Sequence, residues 1–340
     1  MIKASIVGGT GYMGFELLRI LVRHPQVEIV EVTSRGNAGT KVSSLHPALN
    51  GFFDKDFISD LTKPEDSEVV FVAAPHGASM DVVPSLLDAG CRVIDLSGDY
   101  RLGNAEAYLK WYGKKHTDVK NLSKAVYGLT ELNRAKIAKA QLVANPGCYP
   151  TGALLALIPV ARAKAIGGDV VVDSKSGTSG AGASPGEFTH HPSCAPNVVP
   201  YNVGKHRHTP EIEMGLKAVG RYTGETSFTP HLVPLVRGIQ TSCYVKLVKG
   251  AKLDDIKEHY RAFADENHFV KLVEGIPRIT SVLGSNYCHV SIAMATESMM
   301  AAFSAIDNLC KGGSGQAVQN MNVMFGLDEK TGLDNPGLGV

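Results

Sequence analysis

No uninterrupted apolar stretch reaches the ~18 residues that a bilayer-spanning helix needs, so the sequence predicts no membrane span. No CxxC pair occurs among the six cysteines, Cys91, Cys148, Cys194, Cys243, Cys288 and Cys310. That spacing speaks against a zinc knuckle. In a 340-residue chain without a secretion signal it also speaks against a disulfide framework. Each cysteine therefore starts as a small buried hydrophobe. Neither sign of charge is in excess: 34 basic residues face 33 acidic ones, for a formal net charge of +1. A general nucleic-acid or acidic-surface binder needs clustered positive charge, so that class is set aside. The opening "MIKASIVGGTG" lacks the basic, apolar and small-residue regions of a signal peptide. The expectation is a cytoplasmic protein whose mature chain starts here. No internal repeat and no low-complexity tail is found.

What is present is ample core material, 44% hydrophobic residues, enough for one large or two ordinary domains. "KASIVGG", "VEIVEVTS", "EVVFVAAP" and "RVIDLS" read as short strands. They alternate with the helical patterns "GFELLRILVRH" and "SMDVVPSLLDAG", the latter ending at Gly90. This alternation indicates an α/β, Rossmann-type doubly wound parallel sheet. After Cys148 the pattern changes. A helix over about 151–165 leads to the strand "DVVVDSKSG", then to a Gly/Ser/Pro/His-rich region over 176–210. That region is dense in His, Tyr and Arg and is read as functional. "TSFTPHLVPL", "IQTSCYVKLV" and "YCHVSIAMAT" read as strands of a mixed or antiparallel sheet. A last helix is expected over about 297–311, followed by the helix-compatible "GQAVQNMNVM".

Gly9, Gly11 and Gly14 of "GGTGYMG" match G-x-G-x-x-G between a strand and a helix. The first permits a tight turn, the second lets a pyrophosphate approach, and the third lets strand and helix pack closely. Thr10, Tyr12 and Met13 complete this candidate dinucleotide loop. An NAD site usually ends its second strand in Asp or Glu. Here the strand ends in Ser34-Arg35, with Glu31 only at mid-strand. A hydroxyl followed by a guanidinium suits a 2′-phosphate, so NADP(H) is the expected cofactor.

Cys148 follows Asn145-Pro146-Gly147, a turn that presents the next side chain sharply. A helix start at the thiol favours thiolate. These features leave a nucleophile and a structural cysteine both open. A base is offered by "GKHRHTPEIE". In an extended segment His206 and His208 would share one side, with Arg207 facing elsewhere. H-x-H with Glu211 could instead chelate zinc, with His190 and His191 adding to the set, but no third ligand stands at a diagnostic spacing, and no metal is expected. "SKSGTSGAGASPG", containing Ser176, Gly177 and Gly180, is a second glycine-rich turn that could bring main-chain N–H groups to a nicotinamide or an anion. Asp99 and Arg101 of "DLSGDYRL" fall at the carboxyl end of the parallel sheet, where ligands bind.

Together "GGTGYMGFELLRIL", "PHG", "DLSGDYRL", "VYGLTEL", "ANPGCYPTG", "SGTSGAGASP", "VGKHRHTPEIE", "SFTPHLVP" and "GQAVQNMN" resemble, in order and over nearly the whole chain, the N-acetyl-γ-glutamyl-phosphate reductase family, relatives of aspartate-semialdehyde dehydrogenase. The resemblance implies NADPH-dependent reductive dephosphorylation of an acyl phosphate through a Cys148 thioester. It implies His206 as acid/base, with His208 assisting and Glu211 orienting a histidine. Arg101 and Arg207 would grip phosphate or carboxylate, and Asn145 would join the substrate site. Pro75 and the loop at Ser176, Gly177 and Gly180 would join the cofactor site. It implies a cofactor domain of residues 1–147 plus about 300–340, a catalytic and dimerisation domain of 148–299, a small-molecule substrate, and a homodimer or homotetramer. "EFTHHPSCAPNVVPY" also has the flavour of a relative that reduces aminoadipyl or glutamyl phosphate on an acidic carrier protein. Aspartate-semialdehyde dehydrogenase, a non-catalytic NADP sensor and a metal hydrolase are the other readings.

Overall fold

The computed structural model describes residues 1–220 and 222–339; Arg221 and Val340 lie outside it. The chain divides into two compact units. One comprises 1–146 with 313–334, the other 147–312 with 335–340. Among the described residues, no helix is long and apolar enough to cross a membrane.

The first unit is a six-stranded, fully parallel sheet. Its strands are β1 (Ile2–Val7), β2 (Val27–Thr33), β3 (Val69–Val72), β4 (Arg92–Asp95), β5 (Val126–Tyr127) and β6 (Leu142–Ala144). The spatial order is β2-β1-β3-β4-β6-β5. All four β3 residues are fully buried, as expected of a parallel strand covered on both faces. Helix α1 (Tyr12–Leu21) follows β1, and α2 (Ser79–Asp88) follows β3 and stops before Gly90, which has φ +88°. From β1 the chain runs outward to β2 and then returns to β3 on the other side. That reversal is a topological switch point, and its open crevice lies at the strands' carboxyl ends. The helix Gly315–Met324 closes this unit and is buried along its whole length. Asn320 of this helix is held within the unit: its Nδ2 donates to Gly128 O at 2.8 Å, and Thr130 Oγ1 donates to its Oδ1 at 2.8 Å.

The second unit is a seven-stranded mixed sheet. Its strands are β7 (Ile166–Ser176), β8 (Val199–Pro200), β9 (Thr226–Leu232), β10 (Ile239–Leu247), β11 (Val270–Leu272), β12 (Cys288–Met294) and β13 (Met299–Ile306), in the order β11-β12-β13-β10-β7-β9-β8. Helices α3 (Cys148–Arg162), α4 (Thr209–Val219) and α5 (Leu253–Glu266) belong to it. Leu154 to Ile158 of α3 are fully buried, and Ser304 Oγ of β13 donates to Gly152 O at 2.8 Å. Thr241, Cys243 and Val245 of β10 face inward with no exposure. The alternate residue Tyr244, paired with Val171, leaves the other face of the sheet partly exposed and apolar.

One expected element differs. Residues 297–311 read as a helix, yet 299–306 form β13, and the chain stays in the second unit through Gly312. Met and Ala carry helix propensity, but antiparallel pairing to both β10 and β12 decides the outcome.

Candidate active site

The first unit builds a dinucleotide cradle at its switch point. Gly14 is required by packing, since a Cβ there would lie 2.3 Å from Gly8 O. Gly11 caps α1, and a Cβ there would meet nothing within 4 Å, so the approach to the helix start is open. The first main-chain N–H bonded back into α1 is that of Phe15, to Gly11 O at 2.8 Å. The N–H groups of Tyr12, Met13 and Gly14 precede it, as an incoming pyrophosphate requires. His46 Nε2 braces the loop at Gly9 O, 2.9 Å away. Beside the loop is a cavity of about 440 Å³ lined by Gly8, Ser34, Arg35, Asp60, Pro75 and their neighbours. Glu31 is committed to the main-chain N–H of Thr62 at 3.0 Å and to the Thr62 hydroxyl, away from the strand end. The "PHG" turn is held by Asp99: both its oxygens accept the Gly77 N–H, at 2.8 and 2.9 Å, and Tyr108 OH donates to it at 2.8 Å. The open Gly11 approach and the Arg35-lined cavity fit a dinucleotide.

Two residues expected at the substrate site, Arg101 and Asn145, also make structural hydrogen bonds. Arg101 is buried, donating Nε to Asn145 O at 2.8 Å and Nη2 to Leu96 O at 3.1 Å. Asn145 is buried too, donating Nδ2 to Gly313 O at 3.0 Å and accepting from Asn320 Nδ2 at 3.1 Å. Both brace the turn before the cysteine.

The second unit builds the thiol site. Cys148 is the first residue of α3 and is partly exposed. None of the six cysteines is in a disulfide. Gly147 caps the helix, and its N–H donates to Glu211 Oε2 at 3.0 Å; Glu211 has no exposure at all. Glu211 Oε1 lies 3.9 Å from His208 Nε2. The His208 ring rests on Gly147 so closely that a Cβ there would sit 2.4 Å from Nε2. Gly147→Ala is therefore expected to displace His208 and to lower kcat/KM about 10²-fold, the scale of a misplaced catalytic group. Steady-state kinetics with a thermal melt to monitor folding checks this. From the other side Gly312 packs on Cys148, where a Cβ would lie 2.8 Å from the Cys148 Cβ. Asp307 shapes that segment, accepting from Leu309 N, Cys310 N and Arg237 Nη2 at 2.8 to 3.1 Å.

His206 sits in an aromatic box. Ring centroids of Tyr149, Tyr201, Phe228 and His208 lie 4.7 to 5.7 Å from it, all near edge-on. Burial, with a smaller contribution from the Arg207 charge, pushes its pKa down to about 4, so the ring is neutral at pH 7. Its Nδ1 accepts the His208 main-chain N–H at 3.1 Å. The proton of the neutral ring therefore resides on Nε2, which makes that nitrogen a donor. Tyr149 OH and Tyr201 OH are 3.0 Å apart, and Tyr201 is pushed up to about 12, by burial first and also by the neighbouring Cys148.

The two histidines converge as expected, but not on a strand. His208 has helical dihedrals as the cap of α4, and Thr209 N bonds back to His206 O at 3.0 Å. A turn, not period-two alternation, brings the rings together. Arg207 is exposed. Ser176, Gly177 and Gly180 end β7 and open its loop. A Cβ on Gly177 would lie 2.7 Å from the Val236 backbone, and Asn308 Nδ2 ties the loop to the 307–312 segment by donating to Ser179 Oγ at 2.9 Å. Among the described residues no three His, Cys, Asp or Glu side chains group as metal ligands. Sequence reasoning singled out neither Tyr201 nor Phe228, although both lie in the quoted segments "EFTHHPSCAPNVVPY" and "SFTPHLVP", and it missed Asp60, which lies in none. Tyr149 was signalled only by its adjacency to Cys148.

Two family models match the chain: the semialdehyde dehydrogenase NAD-binding domain over residues 3–140 and the semialdehyde dehydrogenase dimerisation domain over 148–308. Similar curated proteins are the N-acetyl-gamma-glutamyl-phosphate reductases of Methanosphaera stadtmanae, 50% identical over 99% of this chain and 98% of that protein, and of Methanopyrus kandleri, 47% identical over 99% of each. Among solved structures, aspartate semialdehyde dehydrogenase II of Vibrio cholerae, complexed with ASA, aligns with a TM-score of 0.72 at 17% identity, covering 96% of this chain and 98% of that one. The Candida albicans aspartate semialdehyde dehydrogenase with NADP aligns with a TM-score of 0.72 at 16% identity, again covering 96% and 98%. These last two likenesses concern the fold.

Proposed function

The chain belongs to the N-acetyl-gamma-glutamyl-phosphate reductase family, and from that premise we propose that Cys148 carries the NADPH-dependent reduction of N-acetyl-L-glutamyl 5-phosphate to N-acetyl-L-glutamate 5-semialdehyde, a step of arginine biosynthesis. The observation that supports this most is the turn at Gly147-Cys148, held by a buried carboxylate and packed against His208.

Cys148 Sγ adds to the acyl carbon, inorganic phosphate leaves, and a thioester forms at Sγ. His208, set between Gly147 and Glu211, takes the thiol proton. His206, neutral and protonated on Nε2, donates to the acyl oxygen as it gains negative charge. A neutral donor of this kind acts without a proton transfer of its own. When bound, NADPH supplies the hydride. His208 returns its proton to the oxygen of the hemithioacetal, whose collapse releases the aldehyde and restores the thiol. This reverses the order of the two histidines expected from the sequence, because the Nδ1 of His206 is already accepting a main-chain N–H. Gly9 to Gly14 with Ser34, Arg35 and Pro75 would hold the cofactor, and Arg207 would attract the substrate's anionic groups. The half-exposed apolar sheet face around Tyr244 and Val171 supports a homo-oligomer built through the dimerisation domain. The setting we propose is the cytoplasm.

The test runs the reaction backwards, following NADP⁺ reduction with N-acetyl-glutamate semialdehyde. NADPH formation that requires phosphate supports the proposal. Turnover of β-aspartyl semialdehyde with none of the acetylated compound contradicts it.

A further inference from the structure

The cofactor cavity contains a carboxylate that the second strand does not supply. At the end of β2, where an NAD site has Asp or Glu, this chain has Thr33-Ser34-Arg35. A distant segment places a carboxylate at that position in space. Ser34 N donates to Ile58 O at 2.8 Å, and Thr33 and Ile58 pair in a parallel bridge. This brings Ser59 and Asp60 into the lining shared with Ser34 and Arg35. Asp60 Oδ1 accepts from Arg35 Nε at 3.1 Å and from Nη2 at 2.9 Å. It therefore occupies an edge through which a guanidinium takes a phosphate in bidentate fashion. Both side chains are largely exposed, 80% and 64%, so the pair is weak and opens readily.

We propose that Asp60 is a cofactor-specificity residue. It competes with a 2′-phosphate for Arg35 and accepts a hydrogen bond from a 2′-hydroxyl, so it narrows the preference for the phosphorylated dinucleotide. The inference rests on the dinucleotide reading of this cavity. Specificity is a difference of affinities, and a carboxylate here acts on both sides of that difference. It repels a doubly charged phosphate and welcomes a hydroxyl. Arg35 acts in the opposite direction, so the two residues set the ratio together.

The test is equilibrium binding of NADP⁺ and NAD⁺, by calorimetry, to the wild type, Asp60→Asn, Arg35→Ala and the double variant. Asp60→Asn keeps the shape and removes the charge at an exposed position, and a circular dichroism spectrum verifies folding. Asp60→Asn is expected to tighten NADP⁺ about two- to fivefold, the scale of one exposed charge pair, and to weaken NAD⁺ by a few-fold. Arg35→Ala is expected to weaken NADP⁺ at least about tenfold and to shrink the Asp60→Asn gain for NADP⁺. NADP⁺ binding that is unchanged or weaker in Asp60→Asn overturns the proposal, because Asp60 would then be inert or would be holding Arg35 ready. A wild type that binds neither dinucleotide overturns the cofactor reading itself, and the proposal with it.

Discussion

Replacing Cys148 with alanine is expected to lower kcat by at least about 10⁴-fold while NADP⁺ binding stays within about twofold of the wild type. The size follows from the chemistry. Without Sγ no thioester forms, and the hydride acceptor is lost. The structure permits the substitution to be read cleanly. Cys148 is partly exposed, alanine is a good helix former, and Gly147 and Glu211 hold the turn without the thiol. The proposed cofactor residues Gly9 to Gly14 belong to the first unit and Cys148 to the second, so cofactor binding is expected to be independent of the thiol. A Cys148→Ala enzyme that binds NADP⁺ and retains more than a tenth of the wild-type rate would remove the thiol from the mechanism. Stopped-flow turnover beside calorimetric binding measures both quantities.

The second large effect concerns His206. His206→Leu is expected to lower kcat about 10²- to 10³-fold, the scale of one lost oxyanion donor. His206→Gln, which can keep a donor and an acceptor, should recover part of the loss. The ring's pKa of about 4 adds a signature in pH. The folded ring refuses a proton that the unfolded chain accepts below its ordinary value of 6.5. Stability contributed by this site is thus intact above pH 6.5 and falls as the pH drops from 6.5 toward 4. The total is about 3 kcal/mol at most, at 1.36 kcal/mol per pKa unit. His206→Gln should flatten that decline in urea melts from pH 7 to 4.5. Nitrogen-15 shifts at pH 7 should report a neutral ring protonated on Nε2. A ring titrating near 6.5, or protonated on Nδ1, would contradict the donor role.

How much of this was legible in the sequence depended on whether local chemistry or distant contact decides each feature. The β1–loop–α1 cradle was legible because G-x-G-x-x-G constrains the backbone within seven residues. The Gly147-Cys148 turn was legible for the same reason. The convergence of His206 and His208 was right in outcome and wrong in cause, since the helix cap at His208 makes the turn. Residues 299–306 were misread because Met and Ala do not announce a strand, and only two flanking partners make one. Arg101 reads as a ligand group at the open end of a sheet; its hydrogen bonds to the carbonyls of Asn145 and Leu96 depend on the fold and were not legible. Asp60 was invisible, because its place beside Arg35 depends on a bridge between Thr33 and Ile58 that no local pattern encodes.

The central claim is that Cys148 takes the acyl group and releases phosphate. The most direct measurement mixes enzyme with N-acetyl-L-glutamyl 5-phosphate in the absence of NADPH, then quenches in acid for phosphate assay and peptide mass mapping. The expected result is a burst of about one phosphate per chain and an N-acetylglutamyl adduct on the peptide containing Cys148, both missing in Cys148→Ala. An adduct on another cysteine, or an undiminished phosphate burst in the variant, would contradict it.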